Sequence, residues 1–108
     1  FNREHARCLT FLKEAVSCSK AKKKIVVTHH VPSFQMQCLK FADSLANGAF
    51  TVELEDYIKD SGIDFWIYGH SHYNVDVRIG NTMCVSNQLG YVFHGEHESF
   101  NPYKNIEV

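Results

Sequence analysis

Two short apolar segments constrain the fold of this chain more than any other feature. The first is Ile25-Val-Val-Thr28 and the second is Asp64-Phe-Trp-Ile-Tyr68. β-Branched and aromatic residues favour strands, and the uninterrupted first segment is typical of a strand buried on both faces. Pro32 ends the first segment because it has no amide hydrogen for a ladder. Gly69 ends the second, and we expect it to let the backbone leave the strand sharply.

Helical periodicity precedes each of these segments. From Arg3 to about Ser19, apolar residues recur at helical spacing, which predicts an amphipathic helix. A second helix is predicted from Thr51 to about Ser61, with Thr51 as its N-cap and Gly62 as its terminator. For residues 33–50 we expect a loop with a helical turn around residues 39–45.

The sequence from Val75 to Ser86 predicts a β-hairpin. Apolar and polar residues alternate from Val75 to Ile79, Gly80-Asn81 supplies a turn, and Thr82 to Ser86 returns as a strand. The order is therefore helix, strand, loop, helix, strand and hairpin. It predicts an α/β fold in which parallel strands with crossover helices lead into an antiparallel hairpin.

Composition narrows the class of protein. A chain of 108 residues with 44% apolar content can form one small domain with its own core. The net charge of -1 predicts neither a nucleic-acid surface nor attraction to an anionic membrane, and no apolar run approaches the roughly 20 residues that span a bilayer. The four cysteines are too widely spaced for a Cys-x-x-Cys metal knuckle and too few for a secreted disulfide scaffold. We therefore expect free thiols and a cytoplasmic location, and the start at Phe1 suggests a piece of a longer protein.

Histidines follow both predicted strands. His29 and His30 come after the first strand, and His70 and His72 come after the second. The carboxyl ends of parallel strands lie at the same edge of a sheet, so these imidazoles should converge there. Residues two apart in extended backbone project to the same side, which lets His70 and His72 face that edge together. Since imidazole is a common ligand of transition metals, the pattern predicts a metal site.

These segments resemble the second half of the calcineurin-like metallophosphoesterases. In that family an apolar strand ends in His-x-Pro, and after a helix another apolar strand ends in Gly-His-x-His before a strand pair. The matching pieces here are Val26-Val-Thr-His-His-Val-Pro-Ser33, Asp64-Phe-Trp-Ile-Tyr-Gly-His-Ser-His72, and Val75–Ser86 followed by Asn87-Gln-Leu-Gly-Tyr91. The likeness covers residues 24–91 in the right order and spacing.

The resemblance implies the second half of a four-layer α/β sandwich and a phosphoester hydrolase with two divalent metal ions, which could be Mn, Fe, Zn or Ni. Carried over by position, His30 and His70 would share one ion and His72 would hold its neighbour. His29 is the alternative to His30, because the histidine is doubled. Asn87 ends a predicted strand and His94 follows it closely, so both are weaker candidates on the substrate side. The identity of the phosphoester stays open.

The family's first half is absent from this sequence. The motifs Asp-x-His, Gly-Asp and Gly-Asn-His do not occur before His29. Three imidazoles without a bridging carboxylate cannot hold two adjacent dications against their repulsion. Residues 1–108 are thus expected to be the C-terminal half of the domain, with no catalytic residue beyond metal ligands and no activity without the N-terminal half. The alternatives are a module that binds a single metal ion and a non-catalytic domain that pairs through an exposed sheet edge.

Overall fold

A computed structural model of the chain describes residues 2–36, 53–71 and 73–108. The strands are β1 (Ile25–Val27), β2 (Phe65–Ile67), β3 (Val77–Ile79) and β4 (Thr82–Val85), and the α-helices are α1 (Asn2–Cys18) and α2 (Glu55–Asp60). Short 3₁₀ turns occur at Phe34–Met36, Val92–His94 and Glu96–Ser99. Within these residues, no helix has both the length and the apolar character needed to cross a lipid bilayer.

The four strands form one mixed sheet in the order β1-β2-β4-β3. β1 pairs with β2 in parallel, β2 pairs with β4 in parallel, and β3 pairs with β4 in antiparallel orientation. The predicted α/β class and the change from parallel to antiparallel pairing are therefore confirmed. Because β1, β2 and β4 run in the same direction, their carboxyl ends meet at one edge of the sheet.

One face of the sheet carries the hydrophobic core. Val26, Trp66 and Cys84 lie side by side across β1, β2 and β4, and all are buried. Val16 of α1 and Ile58 of α2 belong to the same cluster. The remaining buried members are Val31, Met36, Ile63, Tyr68 and Ile79. We call this side of the sheet the core face.

The opposite side of the sheet, which we call the open face, is apolar and is exposed at the β1 edge, whereas Val85 of β4 on the same face is buried. Ile25 and Val27 are 45% and 70% exposed, and their partners Phe65 and Ile67 are half-buried. The prediction that the first strand is buried on both faces is therefore wrong. β1 is one of the two edge strands of this sheet, and the residues of the core cluster pack against its other side.

The helices follow the sequence pattern with shifted ends. α1 agrees with the predicted helix to within one residue at each end. α2 begins only at Glu55, after Leu54, which has no side-chain capping bond. The proposed cap Thr51 lies outside the described residues, as does the turn expected at residues 39–45. Gly62, with φ of 74°, follows the helix end as predicted.

Candidate metal centre

The turn that carries His29 and His30 is fixed from inside the core. The indole Nε1 of the buried Trp66 donates a hydrogen bond of 2.9 Å to Thr28 Oγ1. That hydroxyl in turn donates to the carbonyl oxygen of His30 at 2.9 Å. Buried indole N–H groups need an acceptor, and here the acceptor is the residue just before the histidines. The core thus sets the course of the chain at the end of β1.

The end of β2 brings His70 to the same place. The amide of Gly69 donates to the carbonyl oxygen of His29 at 3.0 Å, so the parallel pairing continues past both strands. His70 has a φ of 68°, which is uncommon for a residue other than glycine, although histidine tolerates it better than most. A Cβ at Gly69 would lie 3.6 Å from the His29 oxygen, an ordinary contact. The sharp departure expected at Gly69 is therefore made by His70.

Segments after β2 and β4 hold each other in place. Gln88 Nε2 donates to Ser71 Oγ at 3.2 Å and to the Tyr73 carbonyl oxygen at 3.1 Å. Between these two residues lies His72, whose predicted role falls outside the described residues. Asn74 Oδ1 accepts bonds from Ser86 Oγ (3.2 Å) and from the amide of Gln88 (2.6 Å). The loop that starts at His70 is thereby tied to the chain leaving β4.

His29, His30 and His70 converge into a histidine cluster. One ring nitrogen from each residue lies within 4.8 Å of the others. His29 Nε2 is 2.7 Å from His70 Nδ1, which is a hydrogen bond between one protonated and one unprotonated nitrogen. Two nitrogens bound to the same tetrahedral zinc ion lie about 3.3 Å apart, given Zn–N bonds of about 2.0–2.1 Å. Small rotations of these rings would therefore give the geometry of three ligands to one ion.

The surroundings of His30 favour its neutral imidazole. Burial lowers the pKa of His30, and the neighbouring His29 and His5 lower this pKa further. His29 is exposed, whereas His30 and His70 are half-buried. A histidine binds metal in its unprotonated form, so a lowered pKa keeps His30 ready to bind near neutral pH.

The described residues fit one metal ion. Among them, no carboxylate or thiol joins His29, His30 and His70 within ligand distance. Two dications close together require a negatively charged ligand between them, because their repulsion is otherwise uncompensated. A single transition-metal ion with one open coordination position matches the three imidazoles.

The weaker candidates lie beyond the end of β4. The Asn87 side chain donates to the Asn101 carbonyl oxygen at 2.6 Å and accepts from the Asn101 amide at 2.9 Å. These bonds hold the C-terminal segment against the chain leaving β4. His94 is exposed on a 3₁₀ turn, with its ring 4.5 Å from that of Phe93. Neither residue belongs to the histidine cluster.

Sequence reasoning missed two residues near the cluster. The sequence pattern predicts only a strand position for Thr28, although the indole N–H of a core tryptophan requires an acceptor and is a usable signal. His5 of α1 contributes to the lowered pKa of His30. Its helical position gives no sequence signal for this proximity, because the packing of α1 beside β1 is a tertiary feature.

The chain is similar in sequence to a viral protein. The chain is 35% identical to an uncharacterized protein of Acanthamoeba polyphaga mimivirus, in a match that covers 81% of this chain and 32% of the viral protein. The chain thus spans about a third of the length of that relative. No family profile matches the chain, and no solved structure matches it.

Proposed function

We propose that this chain is the C-terminal part of a metal-dependent phosphoesterase similar to the calcineurin-like metallophosphoesterases. The observation that carries the proposal is the convergence of His29, His30 and His70 where β1 and β2 end. In the sequence, His30 and His70 occupy the His-x-Pro and Gly-His-x-His motifs that the resemblance rests on, and His29 is the neighbour of His30. The Trp66–Thr28 hydrogen bond and the Gly69–His29 backbone bond fix the chain at the ends of the two strands. Imidazoles positioned in this way are suited to hold a cation in a fixed position.

The histidines would hold the metal and the sheet edge would position it. Both His29 and His30 reach His70, so the geometry favours neither over the other. A bound divalent ion supplies a water with lowered pKa and a positive charge for the phosphoryl oxygens. The described residues supply ligands for one such ion, and a second ion would need a bridging carboxylate from elsewhere in the domain.

The open face supports the view that this chain is part of a larger domain. Parallel sheets are normally covered on both faces, yet Ile25 and Val27 are largely exposed. A second sheet packed there would complete the four-layer sandwich that the resemblance implies. The viral relative is about three times as long as the matched part, which leaves room for such a half.

A module that binds a single metal ion is the second candidate. It is favoured by the chemistry of the cluster, in which three imidazoles surround one position without a carboxylate among the described residues. In this reading the fourth ligand is a water or a partner's side chain, and the open face binds another protein. The two functions differ in whether the protein hydrolyses phosphoesters.

Metal binding by this chain is the first test. Calorimetric titration with Zn²⁺ should give one ion per chain. Mutation of residues that only hydrogen-bond to metal ligands typically lowers metal affinity about 10–100-fold. Loss of a ligand itself, in His70→Ala, should therefore lower Zn²⁺ affinity by more than about 100-fold. His94→Ala is the matched control, since His94 is exposed and outside the cluster. Equal binding by the two variants would remove the basis of both functions.

Hydrolysis is the test that separates the two functions. A longer parent that includes the upstream half should cleave a chromogenic phosphoester with added Mn²⁺, and both His70→Ala and His72→Ala should abolish this activity. A parent that binds metal tightly but does not accelerate cleavage would favour the binding module. His94→Ala again provides the control for loss of activity that does not depend on the histidine cluster.

A further inference from the structure

A cavity lies between α1 and the chain leaving β1, directly beside the histidine cluster. Its volume is about 380 Å³, at the lower end of the range of roughly 300–1,000 Å³ that small-molecule sites occupy. Its walls are mainly apolar. They include Cys8, Leu9 and Leu12 on the helix side, and Val31, Leu54 and Trp66 on the opposite side.

The cavity and the cluster share two residues. His29 and His30 line the cavity, and both also supply nitrogens to the cluster with His70. A molecule anchored at the cluster can therefore extend directly into the cavity. His5 and Thr28 add two further polar side chains to the walls. A few convergent polar groups on a mostly apolar surface are typical of a ligand site.

The walls select against strongly charged groups. Among the lining residues that the structure describes, none carries a carboxylate, an ammonium or a guanidinium group. A sugar or a second phosphate would leave most of its polar atoms without partners there, which is costly in a partly enclosed apolar site. An alkyl chain or an aryl ring would instead gain free energy by leaving water.

We propose that this cavity binds the apolar organic group of a phosphoester whose phosphoryl group lies at the histidine cluster. The inference rests on the proposed function and narrows its substrate class to alkyl or aryl phosphoesters. The cluster then orients the charged end, and the space between α1 and β1 receives the ester group. Substrates with longer apolar groups should bind more tightly until the cavity is filled.

The two exposed cysteines of α1 provide a direct test. Cys8 lines the cavity, whereas Cys18 lies at the far end of the same helix and does not line it. Alkylation by iodoacetamide is measured at each cysteine by peptide mass spectrometry. It is run with and without Zn²⁺, in the presence of phenylphosphonate or methylphosphonate. We expect phenylphosphonate with Zn²⁺ to slow alkylation of Cys8 and leave Cys18 unchanged, while methylphosphonate protects neither.

Each other outcome contradicts the inference in a recognisable way. Equal protection by both phosphonates would mean that the ring does not enter the cavity. Protection by phenylphosphonate without Zn²⁺ would separate the cavity from the cluster, and absent protection would overturn the proposal. The calorimetric Zn²⁺ titration is independent of these results, so intact Zn²⁺ binding with no selective protection refutes this inference and leaves the proposed function standing.

The dependence of affinity on alkyl chain length gives a second test of the cavity. Across a series of alkylphosphonates, affinity for the Zn²⁺-loaded chain should rise about fourfold per methylene group, the usual value for apolar burial. Cys8→Phe should flatten this series, and Cys18→Phe should not. Zn²⁺ affinity should be the same in both variants, and a series that stays steep in Cys8→Phe would contradict the assignment.

Discussion

Val26 and Val27 are neighbours in β1, yet they have opposite surroundings. Val26 is 6% exposed and packs in the core cluster, whereas Val27 is 70% exposed on the open face. Successive residues of a strand point to opposite faces of the sheet, but the contrast weakens away from β1, because Phe65 and Ile67 on the open face are half-buried and Val85 is buried. The core face is buried by side chains of this chain. On the open face, the apolar side chains at the β1 edge are exposed.

The histidine cluster lies at the carboxyl edge of the sheet, where β1 and β2 end. Its supports come from the core side, through Trp66 and Thr28, and it has no described carboxylate ligand. The described part of the site is therefore supported from the core face of the sheet. Under the proposed function, any carboxylate ligand would come from outside the described residues.

The largest effect should follow from removing the central core side chain. Trp66→Ala leaves a large cavity and should lower the free energy of unfolding by about 3–5 kcal/mol. Urea denaturation followed by circular dichroism measures this change. If the variant does not fold, Trp66→Phe serves in its place and should show a smaller loss. A change no greater than that of an open-face variant would contradict the assignment of the core.

The adjacent valines give the sharpest form of the comparison. Val26→Ala should lower the free energy of unfolding by about 2 kcal/mol, because two buried methyl groups are lost and a small cavity remains. Val27→Ala should change it by less than about 0.5 kcal/mol. The same urea titration measures both variants. Equal effects would mean that the open face is covered in solution, for instance by a second copy of the chain.

Thr28→Val tests whether the core supports the cluster. The substitution keeps the shape of the side chain but removes the hydroxyl between the Trp66 indole and the His30 carbonyl oxygen. Stability should fall by about 1–2 kcal/mol, and Zn²⁺ affinity should fall by about tenfold, as for other partners of metal ligands. Thr10→Val on the exposed side of α1 is the control. Unchanged Zn²⁺ affinity would limit Thr28 to a structural role.

The smallest effect concerns pH. Because burial lowers the pKa of His30, the unfolded chain binds this proton more readily than the folded protein. In the metal-free protein, stability should therefore be full above the ordinary histidine pKa of about 6.5 and decline as the pH falls through it. Melting temperatures of wild type and His30→Asn between about pH 5 and pH 8 measure this. His94→Asn should retain the wild-type pH dependence, and identical curves for all three proteins would contradict the predicted linkage.

Much of the fold could be read from the sequence because local patterns determine it. The helical spacing of α1, the apolar runs of β1 and β2, and the Gly80-Asn81 turn of the hairpin each predict an element that the structure contains. The exposure of β1 could not be read in this way. An unbroken apolar run shows that both faces suit burial, but whether a layer covers each face depends on the rest of the protein.

The sequence predicts where the candidate site lies, at the ends of the parallel strands, but not the conformations of its side chains. Parallel strands place His29, His30 and His70 at one edge, and this follows from topology alone. Which of the doubled histidines faces His70 depends on the turn after Thr28, and both do. The conformation of His70 and the proximity of His5 depend on tertiary contacts, so no local pattern predicts them.

The hydrogen-bonded path from Trp66 through Thr28 to His30 has a practical use. The sequence contains one tryptophan, so all indole emission from this protein arises at that position. Cation uptake by the imidazoles should alter the polarity around the indole and shift its fluorescence. Ligand binding can thus be followed optically, without a label, in the native chain.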